Sequence, residues 1–338
     1  MVGELNDSHT RFHTPRERRE RKEQQAISIG VTLFEVEGRS VVVSIEPNTE
    51  ASRVGIEAGM IVRTIDGVPI ETKLAESKAY IEGSSSERAV RLRLYRRILD
   101  GEPGSTVKLG LVRGDGSSFE VVLTRRTVSE LPAVNWRRLP SGYGFIKLNM
   151  WRSPVHREFR RALEHLEDSA GLIIDLRGNP GGVVDEVLEV ASCFFSRRVP
   201  FGRFISRSGK SAPLYTDPDD DHFYGGPVTI LVNESSGSGS ELFAGVMQEA
   251  GRAMVLGRQS CGCLLGITRF REFDGGGELA VSELAFVSPK GRRFEGTGVV
   301  PDEAVALTIS DLRARLDLTV ERAERLLNKL PKASVNVW

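Results

Sequence analysis

The spacing of apolar positions changes near residue 132, and that change divides the chain into two kinds of structure. Upstream, short runs at 27–34, 39–45, 61–65, 106–113 and 118–124 are rich in Val, Ile, Leu and Thr. Gly, Asp and Asn bound them, which marks strands. Asp66-Gly67 reads as a hairpin turn, and Gly114-Asp-Gly116 separates the last two strands. Residues 47–54 predict a turn and a short helix, and helical character runs from about 75 to 99. Ahead of these strands, 5–10 reads as a turn. The stretch 15–25 reads as a solvated helix or linker, because Arg, Lys and Glu are interspersed in it.

Downstream, strand and helix alternate. A strand at 143–148 precedes a helix at 154–166 that carries Phe159, Leu163 and Leu166 on one side. The run 172–176 is almost wholly apolar, as a parallel strand buried on both faces requires, and a helix at 183–195 follows. The strand 228–232 leads into a helix with Leu242, Phe243, Val246 and Met247 as its apolar side, and 253–257 is a further strand. A hairpin is expected from 264–272 with 278–287. Residues 203–226 carry little pattern and read as a surface excursion, and 310–330 reads as a helix stopped by Pro331. The order is that of an α/β layered domain following a β-rich one.

Composition narrows the function classes. With 338 residues the chain can bury two substantial cores. Lys plus Arg and Asp plus Glu are both 46, so the balance argues for neither nucleic acid nor a membrane surface as partner. No apolar run reaches membrane-span length, and the first residues lack a signal-peptide pattern. The three cysteines, Cys193, Cys261 and Cys263, are too few for a disulfide scaffold. Cys261-Gly-Cys263 has no second pair, so no metal site is expected.

Candidate chemistry lies in two turns. Leu172-Ile-Ile-Asp-Leu-Arg-Gly-Asn-Pro-Gly-Gly182 and Asn233-Glu-Ser-Ser-Gly-Ser-Gly-Ser-Glu241 each carry a core strand into a helix start. Free backbone N–H groups there can stabilise developing negative charge, and glycines allow close approach. Adjacent parallel strands would bring both turns to one sheet edge, where α/β folds bind ligands. The plainer alternative for the second turn is an N-cap, with Ser240 capping and Glu241 in the first turn.

Taken together, "GELNDSHTRF", "ASRVGIEAGMIVRTIDG", "GYGFIKL", "GLIIDLRGNPGG", "VNESSGSGSELFAGVMQEAGRAMVLG" and "SPKGRRFEGTGVVPD" resemble the C-terminal processing, or tail-specific, serine proteases. These form peptidase family S41, which includes tricorn, and the segments follow the family order over nearly the whole chain. The resemblance implies an α/β, ClpP/crotonase-like layered protease core with an inserted β-rich PDZ-like domain. It divides the chain into a remnant of the N-terminal protease region at 1–26, a PDZ-like domain at 27–128, the core at 129–308 and a C-terminal helix at 309–338. Helices, and often a signal peptide, precede the first matching segment in family members, which implies a periplasmic or otherwise extracytoplasmic setting. The PDZ-like segment has Gly59-Met60 where Gly-Asp is usual, with a short Arg-rich insertion at 85–101. Ile29-Gly30-Val31 would form its carboxylate-facing turn and first strand, which bind an extended protein C-terminus by strand addition.

The family pattern S-x-S-E places the nucleophile at Ser238, with oxyanion N–H groups from Gly239 and from Gly181 or Gly182. The usual base is a lysine supported by a glutamine four residues later. Here those positions are Cys263 and Ile267. Three readings follow. By the tricorn pattern, Ser8, His9 and Glu295 complete a serine endopeptidase without a cofactor, His9 acting as base. Alternatively the chain is an inactive homologue that binds peptides. In the third, Cys261 or Cys263 is a redox or thiol group near Ser238, or one of them pairs with Cys193. A crotonase-type acyl-CoA enzyme shares paired oxyanion turns, but the PDZ-like domain and the Ser238 segment argue against it.

Overall fold

The computed structural model describes residues 5–329 except 82, 130, 219 and 268; the expected stop at Pro331 lies outside them. Its centre is a six-stranded sheet in the order Val134–Arg138, Gly144–Leu148, Leu172–Asp175, Val228–Val232, Met254–Gly257 and Glu303–Ala304. All neighbours are parallel except the first pair. The alternation within the apolar runs explains the layers. Ile146, Leu148, Ile174, Ile230 and Val232 face one way, into a core shared with the helices Val155–Leu166, Val184–Ser192 and Gly239–Glu249. Phe145, Ile173, Leu231 and Leu256 face the other way, onto Ala323 and Leu327 of the helix Leu318–Leu327. Both faces are therefore dry, as the uninterrupted hydrophobicity of these strands demands.

A β-rich unit is inserted ahead of this core. Its sheet runs Val31–Val36, Arg39–Ile45, Ile61–Ile65, Thr106–Val112 and Ser118–Thr124, with Val68–Pro69 turned back on Ile61–Ile65 through Asp66 and Gly67, both at positive φ. Val42, Val62, Ile65, Val107, Leu109 and Leu123 form a core of its own. An antiparallel ladder of Gln25–Ser28 with Arg126–Ser129 closes the entrance and exit of the unit. Val31–Val36 lies at the sheet edge, and the helix Glu87–Arg97 packs beside it through Phe34 and Tyr95, whose rings stand 5.6 Å apart.

Several elements differ from expectation. The 27–34 run divides into Gln25–Ser28 and Val31–Val36 because Gly30 turns the chain at φ +81°. Helical residues 75–99 form two helices, Ile70–Lys78 and Glu87–Arg97, separated by a polar Gly-Ser segment. The supposed excursion at 203–226 overlaps the hairpin Pro200–Ser206 with Ser211–Tyr215, whose weak alternation hid it from the sequence. The hairpin expected at 264–287 is shared between two sheets. Leu265–Gly266 and Leu284–Val287 join that excursion hairpin, while Glu278–Ala280 lies between Phe270–Glu272 and Arg11–His13 and pairs with both. The C-terminal helix is broken at Arg315, which is left-handed, and restarts at Asp317, whose carboxylate accepts the Val320 N–H.

Candidate active site

Leu172–Asp175 and Val228–Val232 are neighbours in the sheet, so the two Gly-rich turns that follow them meet at its carboxyl edge. The Gly237 N–H donates to the Asn179 carbonyl at 3.0 Å, and the Ser236 hydroxyl donates to the Leu176 carbonyl at 2.9 Å. Ser238, half-buried, stands at the N-cap of the helix Gly239–Glu249 with φ +51° and ψ −115°. Few non-glycine residues hold such a backbone, and it persists only where the surroundings over-determine it. Ser240 is therefore not the cap. Its hydroxyl accepts from the Trp151 indole at 3.0 Å and donates to the Asn179 carbonyl at 3.1 Å, which ties the helix to the neighbouring turn.

Gly181 and Gly182 differ in what their N–H groups do. The Gly181 N–H is held by the Asn179 side-chain oxygen at 2.9 Å. Among the described residues, the Gly182 and Gly239 N–H groups have no hydrogen-bond partner. They lie close together, since a Cβ built on Gly239 would stand 3.5 Å from the Gly182 nitrogen. Gly181 instead gives room: a Cβ there would stand 2.6 Å from the Ser238 Cβ.

On the other side of Ser238 runs the loop 260–264. Cys261 and Cys263 are joined by a disulfide, and Cys193 is a buried thiol that donates to the Glu189 carbonyl, so neither loop cysteine pairs with Cys193. The disulfide packs under Ala89 and Leu92 of the inserted unit's helix. The Cys263 carbonyl accepts the Ser238 N–H at 2.9 Å. Glu241, expected only in the first helical turn, reaches this loop as well. Its buried carboxylate takes the N–H groups of Ser238, Gly262 and Cys263 and the Ser260 hydroxyl.

Ser8, His9 and Glu295 are brought together although one of them lies near the far end of the sequence. Glu295 accepts the Ser8 N–H at 3.0 Å, the Ser8 hydroxyl at 2.8 Å and the Leu264 N–H at 2.7 Å. The Ser8 Oγ stands 2.6 Å from the His9 Nδ1. A carboxylate can only accept, so the one Ser8 proton points to Glu295 and Nδ1 must be the donor toward Ser8. The other ring nitrogen, Nε2, is then left with a free lone pair. Burial pushes the His9 imidazole down to about 4, reinforced by the nearby Arg11 and Arg93 charges and opposed by Asp7, so the ring is neutral at pH 7. Among the described residues no hydrogen bond joins this ring to the Ser238 hydroxyl.

The inserted unit touches the same place. The Ser85 hydroxyl donates to Glu295, Arg93 donates to the Ser8 carbonyl at 2.8 Å, and Arg88 donates to the carbonyls of Ser260 and Thr297, each at 2.7 Å. The arginine contacts were not legible beforehand, because the Arg-rich segment reads as an insertion and its targets are backbone carbonyls. Of the residues expected to form a carboxylate-facing turn, Ile29 and Val31 are buried. The Gly30 N–H is taken by the Ser28 hydroxyl at 2.9 Å.

Comparison with known proteins gives these features a context. Residues 142–305 match the model of peptidase family S41. A probable CtpA-like serine protease of Staphylococcus haemolyticus is 26% identical over 90% of this chain and 58% of its own length. A carboxyl-terminal-processing protease of Picosynechococcus is 28% identical over 90% of this chain and 71% of its own. Carboxyl-terminal-processing peptidase 3, chloroplastic, of Arabidopsis thaliana is 28% identical over 98% and 63%. The chain thus spans 58 to 71% of the length of these curated relatives. Among solved structures, the photosystem II D1 C-terminal processing protease superposes with a TM-score of 0.63 at 22% identity, covering 98% of this chain and 86% of that one. Mature CPAF superposes with a TM-score of 0.70 at 16% identity, covering 96% and 85%. Among the described residues no helix is long and apolar enough to cross a membrane. The segment that matches the peptidase family S41 model contains both Gly-rich turns and runs on through Glu295, and the chain is similar to carboxyl-terminal-processing proteases over nearly its whole length.

Proposed function

We infer that this protein is a serine endopeptidase of the C-terminal processing type in which Ser238 is the nucleophile and His9, in place of the usual lysine, is the base. The observation that carries this reading is the bonded series Glu295–Ser8–His9, which fixes one tautomer of a neutral imidazole. A serine hydroxyl needs such a base at neutral pH. Nε2 of His9 would take the Ser238 proton as the hydroxyl attacks the scissile carbonyl, and would return it to the leaving amine. The imidazolium so formed would be steadied by the Glu295 carboxylate through the Ser8 hydroxyl between them, with the proton staying on the ring, much as a carboxylate steadies the imidazolium of a catalytic triad. The oxyanion would be met by the Gly239 and Gly182 N–H groups, which have no partner among the described residues. Catalytic hydrogen bonds are often long without substrate and tighten in the complex. Cys263 cannot replace the lysine, because its sulfur is committed to Cys261.

The substrate would be a protein or peptide engaged through its C-terminus. The edge strand Val31–Val36, next to the helix Glu87–Arg97, is the place for strand addition in the PDZ-like unit. Because Ser28 occupies the Gly30 N–H, the carboxylate would be met by neighbouring groups rather than by Gly30. An extracytoplasmic setting fits the oxidised cysteine pair. The test is cleavage of an unfolded protein ending in an apolar tail, with a Ser238→Ala control: cleavage by the native chain and none by the variant. A second reading, a peptide binder without activity, is favoured by the absence of a hydrogen bond between His9 and Ser238 among the described residues. That reading predicts tail binding with no cleavage.

A further inference from the structure

We propose that Glu241 is a positioning residue, holding the Ser238 turn and the loop 260–264 in the one register that lets nucleophile and base act together. This rests on the protease reading of Ser238 and His9. A glutamate three residues into a helix ordinarily returns only to its own N-cap and sits in solvent. Glu241 is fully buried and serves two segments. One oxygen accepts the Ser238 N–H at 3.0 Å and the Cys263 N–H at 2.8 Å. The other accepts the Gly262 N–H at 2.6 Å and the Ser260 hydroxyl at 2.5 Å. The residue after Cys263, Leu264, donates to Glu295, which holds Ser8 and through it His9. Glu241 is therefore a direct polar link between the nucleophile's own backbone and the loop that seats the base.

The chemistry asks for a carboxylate. Four donors converge, and only an ionised carboxyl offers acceptor sites to all of them; a glutamine oxygen serves two. None of the four facing groups is charged, and the adjoining cysteines are disulfide-bonded. Burial pushes the Glu241 carboxyl up to about 7, while the four donors pull it the other way. A proton taken up below that pH would occupy a lone pair that a donor now uses.

The experiment uses a fluorophosphonate probe on the full-length protein, with kinact and KI measured from pH 5 to 9 for the native chain, Glu241→Gln and Glu241→Asp. Glu241→Gln should lower kinact about a hundredfold, the scale of an ångström's misplacement of a reacting group, with KI nearly unchanged. The native rate should fall as pH drops through about 7. That limb should vanish in Glu241→Gln and return, at a reduced rate, in Glu241→Asp. A native labelling rate in either folded variant, or a loss confined to KI, would overturn the proposal. If the native chain is not labelled at all, the protease reading fails, and hydrogen exchange of segments 236–241 and 260–264 decides the role of Glu241. Lost protection in Glu241→Gln supports it; unchanged protection overturns it.

Discussion

The Ser8 hydroxyl donates to Glu295 at 2.8 Å, joining residues 287 positions apart, and so decides which nitrogen of His9 carries its proton. Removing that hydroxyl should release the ring. In Ser8→Ala, nitrogen-resolved NMR of His9 should show mixed tautomers, where the native ring is protonated at Nδ1 alone. Fluorophosphonate labelling should slow about tenfold or more, a part of what a positioned general base contributes. A single unchanged tautomer in Ser8→Ala would remove Ser8 from the mechanism.

His9 also makes stability depend on pH in a stated direction. Its folded value, about 4, lies below the ordinary 6.5, so between those values the unfolded chain binds more protons. The contribution is complete above about 6.5 and is lost as pH falls toward 4. Glu241 acts oppositely: its folded value of about 7 exceeds 4.5, so its contribution is complete below 4.5 and is lost as pH rises toward 7. Replacing His9 with Ala should flatten the acid side of the melting-temperature profile, and replacing Glu241 with Gln should flatten the other side. Parallel profiles for native and variant chains would contradict these assignments.

The cysteine assignment can be counted. Alkylation of the unfolded, unreduced chain should modify Cys193 alone, and a dithiol reductant should then expose Cys261 and Cys263. Three modified cysteines without reductant would show that the loop beside Ser238 is not closed by a disulfide.

Gly181 cannot carry a side chain. Its φ of +109° alone costs a substituted residue about 1–3 kcal/mol, and a methyl group would stand 2.6 Å from the Ser238 Cβ. Gly181→Ala should therefore lower the melting temperature and abolish labelling. Gly178→Ala, also at positive φ but with nothing within 4 Å of the added carbon, should keep substantial labelling. Equal loss in both variants would mean that backbone strain, and not the approach to Ser238, decides the outcome.

What could be read in the sequence was whatever a local pattern encodes. The apolar runs at 172–176 and 228–232 announce parallel strands, and the Ser-Gly and Gly-Gly turns after them announce a sheet-edge site. Glu241 was legible as a first-turn residue but not as a four-donor acceptor, because Ser260, Gly262 and Cys263 meet it only through the tertiary fold. The 200–215 hairpin was missed because its exposed strand alternates weakly. The contacts of Arg88 and Arg93 were missed because a carbonyl acceptor leaves no signature in residue identity.

The central claim is that His9 serves Ser238, and fluorophosphonate labelling of the native chain beside His9→Ala and Ser238→Ala tests it most directly. The account predicts covalent modification of the native protein at Ser238, none in Ser238→Ala, and a loss of at least about a hundredfold in rate in His9→Ala. Modification of Ser238 at an undiminished rate in folded His9→Ala, or none in the native chain, would contradict it.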